Sequence, residues 1–341
     1  MKNRIIILAS SLLLGVILFI YVLGKTGFWD TLVYFKEASI FPFIAYILVS
    51  FFMMSLKVYR WQVILRAYGF KHSFWNLFSY NLAGFSLSYI TPGAMVGGEG
   101  LRAYLLKRGS KSKKMNMAKS ISSIIIDKFF DLAVAAMLTS VGIMLLLSFF
   151  SLSRYLKAAF LIITVCWVVA LSFFLYSSLT KKGFFSYIFR KLKLYRIKRL
   201  SKVEKEVKET ESNISHFFIS HKKEFRRCVV ISFFLWLLML VEYKIATAVL
   251  VYEASLTTVF LIILVVGFSY LFPLPGALGI LEATQASMHA FIGFKAVQGI
   301  ALSLLVRARD TMWTIIGVIL ISHYGVSLMK ELAKNGTNSS K

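Results

Sequence analysis

The sequence contains two similar proline-glycine breaks, each inside an apolar segment. The second break reads Ser269-Tyr-Leu-Phe-Pro-Leu-Pro-Gly-Ala-Leu-Gly-Ile-Leu-Glu282, and the first reads Ser88-Tyr-Ile-Thr-Pro-Gly-Ala-Met-Val-Gly-Gly-Glu99. When Pro92 is aligned with Pro275, both copies read Pro-Gly-Ala and then, after four intervening residues, glutamate. The two copies hold three of the four prolines in the chain. We therefore interpret them as an internal repeat.

A break of this kind has a specific meaning inside a membrane. Proline has no N–H and cannot continue a helix interior, while glycine lets the chain turn sharply. Hydrocarbon tolerates such a break only where protein or a water-filled cavity satisfies the freed backbone groups. A helix that restarts after the break points unpaired N–H groups into that cavity, where they favour an anion such as phosphate. Paired breaks in two halves of a chain are typical of transporter substrate sites.

The composition places these breaks in a membrane protein. Of the 341 residues, 58% are hydrophobic and 16% are charged, and the mean hydropathy is +0.73. A soluble domain is about half apolar and about a quarter charged, so soluble enzyme folds are excluded for most of the chain. We predict an all-α polytopic membrane protein with about six full spans, near residues 5–23, 40–58, 120–150, 156–179, 228–250 and 296–326.

The formal charge of +25 is explained by topology. With a cytoplasmic N-terminus, the segments predicted to face the cytoplasm collect 31 of the 40 lysines and arginines, as expected for loops that fix orientation. Attraction to anionic inner-leaflet lipid accounts for the basic surface better than nucleic-acid binding does. We therefore expect a multi-pass protein of the cell membrane with both termini cytoplasmic and no nucleic-acid partner.

The same charges constrain the two broken segments. Because the segments flanking 74–97 both look cytoplasmic, this hairpin should enter from the inside and return, and 256–292 should do so from the outside. The two re-entrant hairpins would then form an inverted repeat. The alternative is a pair of kinked full spans packed through glycine and alanine.

Two polar stretches lie outside the predicted spans, at 180–227 and at 328–341. Residues 180–227 predict an amphipathic cytoplasmic elbow, basic and aromatic at first and then helical with a stripe spaced by three and four residues. We assign 1–327 to one transmembrane domain that includes this elbow, and 328–341 to a short polar cytoplasmic tail.

Ionisable residues at membrane depth are costly unless they are paired or hydrated, and they are functional candidates by default. Asp127 and Asp131 share one helix face, so an arginine or lysine partner, or a shared proton, is implied. Arg307 is three residues from Asp310, so a pair within one helix is available. The alternative role for each is structural salt bridging between helices. The embedded or nearly embedded set comprises Glu99, Arg102, Asp127, Lys128, Asp131, Glu242, Lys244, Glu282, Arg307, Arg309 and Asp310.

Motifs for covalent chemistry have little support. Asp127 and Asp131 lack a further ligand at metal spacing, the five histidines are scattered, and the glycines near the first break lack the lysine of a phosphate loop. We therefore assign no catalytic residue, metal or cofactor.

With these residues in view, the chain resembles the flippase-like transmembrane region of lysylphosphatidylglycerol synthases, the bacterial multiple peptide resistance factor family, including its stand-alone members. The resemblance runs from about Ile5 to Tyr324. It departs at Ala277, where a second glycine is common, and at Lys128, where arginine is usual. The matching residues are Trp61, Leu65, Gly69, Pro92, Gly93, Gly97, Gly98, Glu99, Arg102, Asp127, Lys128, Asp131, Pro273, Leu274, Pro275, Gly276, Gly279, Glu282 and Arg307.

The resemblance implies a lipid flippase that moves an anionic or aminoacylated phospholipid, or a lipid-linked substrate, between leaflets. Its alternative is phosphatidylglycerol lysyltransferase activity, which confers resistance to cationic antimicrobial peptides, or a role as membrane partner of a separately encoded lipid-modifying transferase. An oligomer is compatible with either. The predicted substrate-binding residues are Pro92, Gly93, Gly97, Gly98, Glu99, Arg102, Asp127, Asp131, Pro275, Gly276, Gly279, Glu282 and Arg307. Among them, Glu99 and Glu282 would line the cavity and Arg102 and Arg307 would hold the lipid phosphate.

Overall fold

The computed structural model describes residues 2–92, 97–110, 112–150, 153–181, 183, 186, 191 and 204–338. Within them the chain forms twelve α-helices and one short 3-10 turn, and no strand. The helices are α1 (Lys2–Thr26), α2 (Phe28–Lys36), α3 (Ile40–Ala67), α4 (Phe74–Ile90), α5 (Glu99–Gly109), α6 (Met117–Phe149), α7 (Arg154–Leu179), α8 (Glu204–Ser220), α9 (Lys222–Val249), α10 (Leu256–Ser269), α11 (Ile280–Phe291) and α12 (Ala296–Asn338), with the turn at Pro275–Ala277.

Five of these helices are long and apolar enough to cross a membrane: α3, α6, α9, and the Ala9–Thr26 and Lys157–Leu179 parts of α1 and α7. The sixth predicted span, 296–326, falls within α12. Many large apolar side chains point outward, as a lipid environment requires; Phe41, for example, is 80% exposed. The prediction of an all-α polytopic membrane protein is confirmed.

The helix that contains the predicted span 40–58 is longer than that span. Helix α3 continues to Ala67, and most residues of its last three turns are buried, including Arg60, Trp61 and Leu65. The helix ends where Gly69 adopts a φ of +79°, a conformation that glycine accepts without strain. The lysine and arginine count had placed this stretch in the cytoplasm, but its apolar residues pack against neighbouring helices.

The bundle contains two similar units whose helices pack against each other. The first contains α3 to α6 and the second contains α9 to α12, each with its break between the second and third helices. Helix α3 packs along its counterpart α9, α4 packs on α12 of the other unit, and α10 packs on α6. This reciprocal exchange is the arrangement expected of two related halves, so it supports the internal repeat.

The helices on either side of each break fold back on each other. Helices α4 and α5 pack together around the first break, and α10 and α11 do so around the second. Each break therefore lies at the turn of a helical hairpin, formed by α4 and α5 in the first unit and by α10 and α11 in the second. That the hairpins enter the membrane from opposite faces remains a prediction.

The amphipathic elbow is partly described. From Glu204 onward the predicted stripe forms α8, which packs on α6, α7 and α9. On its polar side, Lys208 contacts Glu204 at 2.9 Å. The Tyr68 hydroxyl, beyond the end of α3, donates to the Asn213 carbonyl at 3.0 Å, and burial raises the pKa of Tyr68 above its ordinary value. The aromatic and basic first part, 182–198, lies almost entirely outside the described residues.

Candidate functional site

The second break is a tight turn stabilised by α12. Gly276 and Gly279 have φ of +53° and +79°, in the left-handed region that favours glycine. Arg307 of α12 donates to the carbonyl oxygens of Gly276 at 3.0 Å and of Ala277 at 3.1 Å. Backbone groups that the 3-10 turn cannot pair internally are thus satisfied by a side chain, as the membrane interior requires.

The Glu282 carboxylate completes this arrangement. It is fully buried, accepts from the Gly279 N–H at 2.9 Å, and pairs with Arg307 through both of its oxygens. The remaining Arg307 donor reaches the Tyr89 hydroxyl at 3.4 Å. All five guanidinium N–H groups therefore have protein partners, and a lipid phosphate would have to displace one of them.

The first break is closed by backbone packing. Gly98 lies so close to α4 that an added Cβ would overlap the Gly84 carbonyl oxygen, and its N–H donates to Ser88 Oγ at 2.8 Å. Similarly, an added Cβ at Gly97 would overlap the Thr91 hydroxyl. These two glycines are needed for close approach. Pro92 lies at the end of α4, and Gly93 lies outside the described residues.

Glu99 is the first residue of α5 and belongs to an ion-pair network. Its carboxylate contacts Arg102 at 3.1 Å and Lys128 at 2.8 Å. Arg102 also contacts Asp127 at 3.1 Å and lies 4.4 Å from the Trp61 ring centroid, while its Nε is buried without a partner in the described part of the chain. Both glutamates follow their breaks in the first turn of a helix, Glu99 in α5 and Glu282 in α11.

The pair Asp127 and Asp131 has the cationic partner that the sequence implied. Arg60 of α3 contacts Asp127 at 2.9 Å and Asp131 at 2.6 Å, and also donates to Ser232 of α9 at 3.0 Å. Arg60 was missed because it was counted in a cytoplasmic segment. The apolar residues that continue beyond it to Leu65 are the signal that places it in the bundle.

Arg307 pairs with Glu282 and not with Asp310, the partner that was available three residues away in its own helix. Asp310 instead contacts its neighbour Arg309 at 2.9 Å, Arg309 contacts Glu242 of α9 at 2.6 Å, and the Tyr270 hydroxyl donates to Asp310 at 2.7 Å. Arg307 faces the second break, where it finds two carbonyls and a buried carboxylate. We call Glu242, Arg309 and Asp310 the second-half triad.

A cavity of about 360 Å³ lies between the two halves. Most of its lining is apolar, and charged residues of both signs also line it: Lys57, Arg60, Asp131, Glu242, Arg309 and Asp310. Of the predicted substrate-binding residues, Asp131 lines this cavity directly, while Arg102, Asp127, Glu282 and Arg307 support the helices that form it. Lys57 was also missed, and Glu242, Arg309 and Asp310 were recognised only as embedded charges.

The two halves contribute equivalent positions to the site. The offset of 183 residues that relates Pro92 to Pro275 also relates Glu99 to Glu282 and Asp127 to Asp310. It relates Gly84-Phe-Ser86 to Gly267-Phe-Ser269 as well. In each half, the equivalent aspartate shares an arginine with a second carboxylate: Arg60 contacts Asp127 and Asp131, and Arg309 contacts Glu242 and Asp310. The two arginines themselves are not related by this offset.

The fold and this site define a class of polytopic α-helical membrane protein in which two broken-helix units enclose a charged cavity. The family described as the lysylphosphatidylglycerol synthase TM region matches residues 6–317, and the chain belongs to that family.

Similar proteins come from archaea. A UPF0104 membrane protein of Methanothermobacter thermautotrophicus is 26% identical over 301 residues, which cover 84% of this chain and 86% of the relative. Another, from Pyrococcus horikoshii, is 21% identical over 91% of this chain and 95% of the relative. A third, from Methanocaldococcus jannaschii, is 26% identical over 54% of this chain and 52% of its own length. No solved structure matches this chain.

Proposed function

We propose that this protein moves a phospholipid, or a lipid-linked substrate, between the leaflets of the cell membrane, with both termini cytoplasmic. The observation that carries the proposal is the cavity of about 360 Å³ between the two halves, lined by apolar side chains and by charged residues of both signs. A polar headgroup would cross the membrane along this cavity while its acyl chains stay in lipid. Rocking of one unit against the other would open the cavity to each leaflet in turn.

Membership of a family described by a lipid synthase region supports a lipid-related role. The ion pairs support it too. The carboxylates beside the cavity contact arginines, with two carboxylates to each arginine, so a charged headgroup could exchange with one of these groups at lower cost than entering bare hydrocarbon.

The test is lipid movement in liposomes that contain fluorescent phospholipid and purified protein. Gly267 lines the cavity and has no atom within 4 Å of an added Cβ, so Gly267→Leu would place an apolar side chain at the cavity wall, starting from open space. Gly24 of α1 has the same open surroundings outside the cavity, so Gly24→Leu is the matched control. We expect transbilayer movement to be lost in Gly267→Leu and kept in Gly24→Leu. If wild-type protein moves no headgroup faster than protein-free liposomes do, the proposal is wrong.

The alternative is lysyl transfer from tRNA to phosphatidylglycerol, or service as the membrane partner of such a transferase. The family description, which names a lysylphosphatidylglycerol synthase, supports this alternative. It predicts that a host without its own synthase accumulates lysyl-lipid when it expresses this chain, which thin-layer chromatography would detect. Co-purification of a soluble transferase would support the partner role.

A further inference from the structure

The second-half triad carries an excess of negative charge. Glu242 and Asp310 share the single guanidinium of Arg309, and all three side chains line the cavity. Both carboxylates are nearly fully buried, at 4% and 7% side-chain exposure. Two buried carboxylates with one arginine leave one negative charge without a counterion, which favours a positively charged ligand at this end of the cavity.

Aromatic side chains surround the triad. Tyr243 follows Glu242 in α9, Tyr270 donates to Asp310, and Trp313 lies one turn beyond Asp310 in α12; all three line the cavity. Trp313 is held in place because its indole N–H donates to Ser50 at 3.0 Å. Aromatic faces combined with carboxylates bind organic ammonium groups, since the ring faces attract a cation that keeps an apolar surface.

A buried hydroxyl without a partner in the described part of the chain lies beside Arg309, just outside the lining of the cavity. Tyr46 of α3 is 1% exposed, its ring centroid is 5.6 Å from the Arg309 guanidinium carbon, and it interacts electrostatically with Glu242 and Asp310. Its hydroxyl makes no hydrogen bond to any described residue. Burying such a group is costly unless a ligand completes its hydrogen bonding, and the oxygen can accept from an ammonium N–H.

The opposite end of the cavity has the opposite character. Lys57 lines this end together with Arg60 and Asp131, and it forms no ion pair within the described part of the chain. Along α3, Lys57 lies eleven residues from Tyr46, or about 16 Å. The cavity is thus polarised, with an extra cation at one end and an uncompensated carboxylate at the other.

We propose that the second-half triad, with Tyr46 and the surrounding aromatic rings, is a binding site for a singly charged organic ammonium group. The inference rests on the proposed function for its ligand: the lipid would carry a zwitterionic, amine-bearing headgroup of the ethanolamine type rather than an anionic glycerol headgroup. One net negative charge at the site matches one ammonium.

Two water-soluble probes test this directly, because they share the same phosphate and differ only in the group attached to it. We expect glycerophosphoethanolamine to bind the purified protein in calorimetry, and glycerophosphoglycerol to bind about tenfold more weakly or not at all. Glu242→Gln should weaken the first probe about tenfold or more, and Tyr46→Phe should weaken it by a smaller factor. Glu253→Gln, which changes an exposed carboxylate, is the matched control. Native mass spectrometry with the corresponding full-length lipids distinguishes a lipid headgroup from a free amine.

Three outcomes would exclude the ammonium site. The first is equal or tighter binding of the glycerol probe, and the second is unchanged binding of the amine probe to a folded Glu242→Gln protein. The third is displacement of the amine probe by sodium at constant ionic strength, which would indicate a site for an inorganic cation. The two proposals fail separately. Amine binding without lipid movement in liposomes would leave the ammonium site and remove the flippase. Lipid movement without preference for amine-bearing headgroups would support the flippase and exclude the ammonium site.

Discussion

The Tyr89 ring packs directly on Gly276 and so joins the two proline breaks. A Cβ added at Gly276 would lie 2.7 Å from the Tyr89 Cζ, closer than real side chains approach. Tyr89 is three residues before Pro92 and Gly276 directly follows Pro275. The ends of the two hairpins therefore meet, and this contact can be tested.

We expect Gly276→Ala to destabilise the protein by about 2–4 kcal/mol, because it adds left-handed backbone strain to an overlap with Tyr89. Thermal unfolding in detergent would measure the change. Gly69→Ala is the matched control, since Gly69 also has a positive φ but has no atom within 4 Å of an added Cβ. It should cost only about 1–2 kcal/mol. Adding Tyr89→Ala to Gly276→Ala should recover the difference; equal losses for the two glycines would contradict the contact.

Gly98→Ala should open the first hairpin. The added methyl group would overlap the Gly84 carbonyl oxygen, a backbone atom that cannot rotate away, so α4 and α5 must separate. We expect a loss of about 3 kcal/mol or more, the upper range for overpacking, read as protease sensitivity between the two helices. Gly100→Ala, two residues further on in open space, should be neutral or slightly stabilising because alanine favours a helix. Similar behaviour of both variants would exclude the close approach.

Arg307→Met should cost about 3–5 kcal/mol, because it leaves the fully buried Glu282 carboxylate without its partner. Adding Glu282→Gln removes the stranded charge and should recover much of that loss in the same unfolding measurement. The exposed pair of Lys208 and Glu204 provides the comparison, and Lys208→Met should cost at most about 1 kcal/mol. A double variant as unstable as the sum of its single variants would show that the two groups act independently.

Cysteine accessibility tests whether the hairpins enter from opposite faces. In a background with Cys166→Ala and Cys228→Ala, a cysteine replacing Phe74 should react with an impermeant reagent only from inside, and one replacing Thr257 only from outside. Cysteines replacing Thr91 and Leu274 should react slowly from both sides, because the hairpin ends meet inside the protein. If Ser110→Cys reacts from outside, 74–97 crosses the membrane fully and the inverted repeat is wrong.

The helices and their interruptions could largely be predicted from residue order. Apolar runs longer than a bilayer requires mark α3, α6, α7 and α9, and proline with glycine interrupts a helix wherever it is placed. The predicted span ended at residue 58, before the end of α3 at Ala67, because the lysines and arginines that follow were taken as a sign of exposure. Arg60 is buried, and packing by its apolar neighbours and two aspartates outweighs its preference for water.

The sequence alone determined that this is an all-α membrane protein with two equivalent breaks, because hydropathy and backbone chemistry act over short stretches of chain. It also implied that Asp127 and Asp131 have either a cationic partner or a shared proton. Only the tertiary structure decided that this partner is Arg60, 67 residues away from Asp127, and that Arg307 pairs with Glu282 rather than with Asp310. Buried charges pair with whichever group helix packing brings within about 3 Å, and that distance depends on contacts between helices far apart in the chain. The cavity and its charged ends are consequences of that packing.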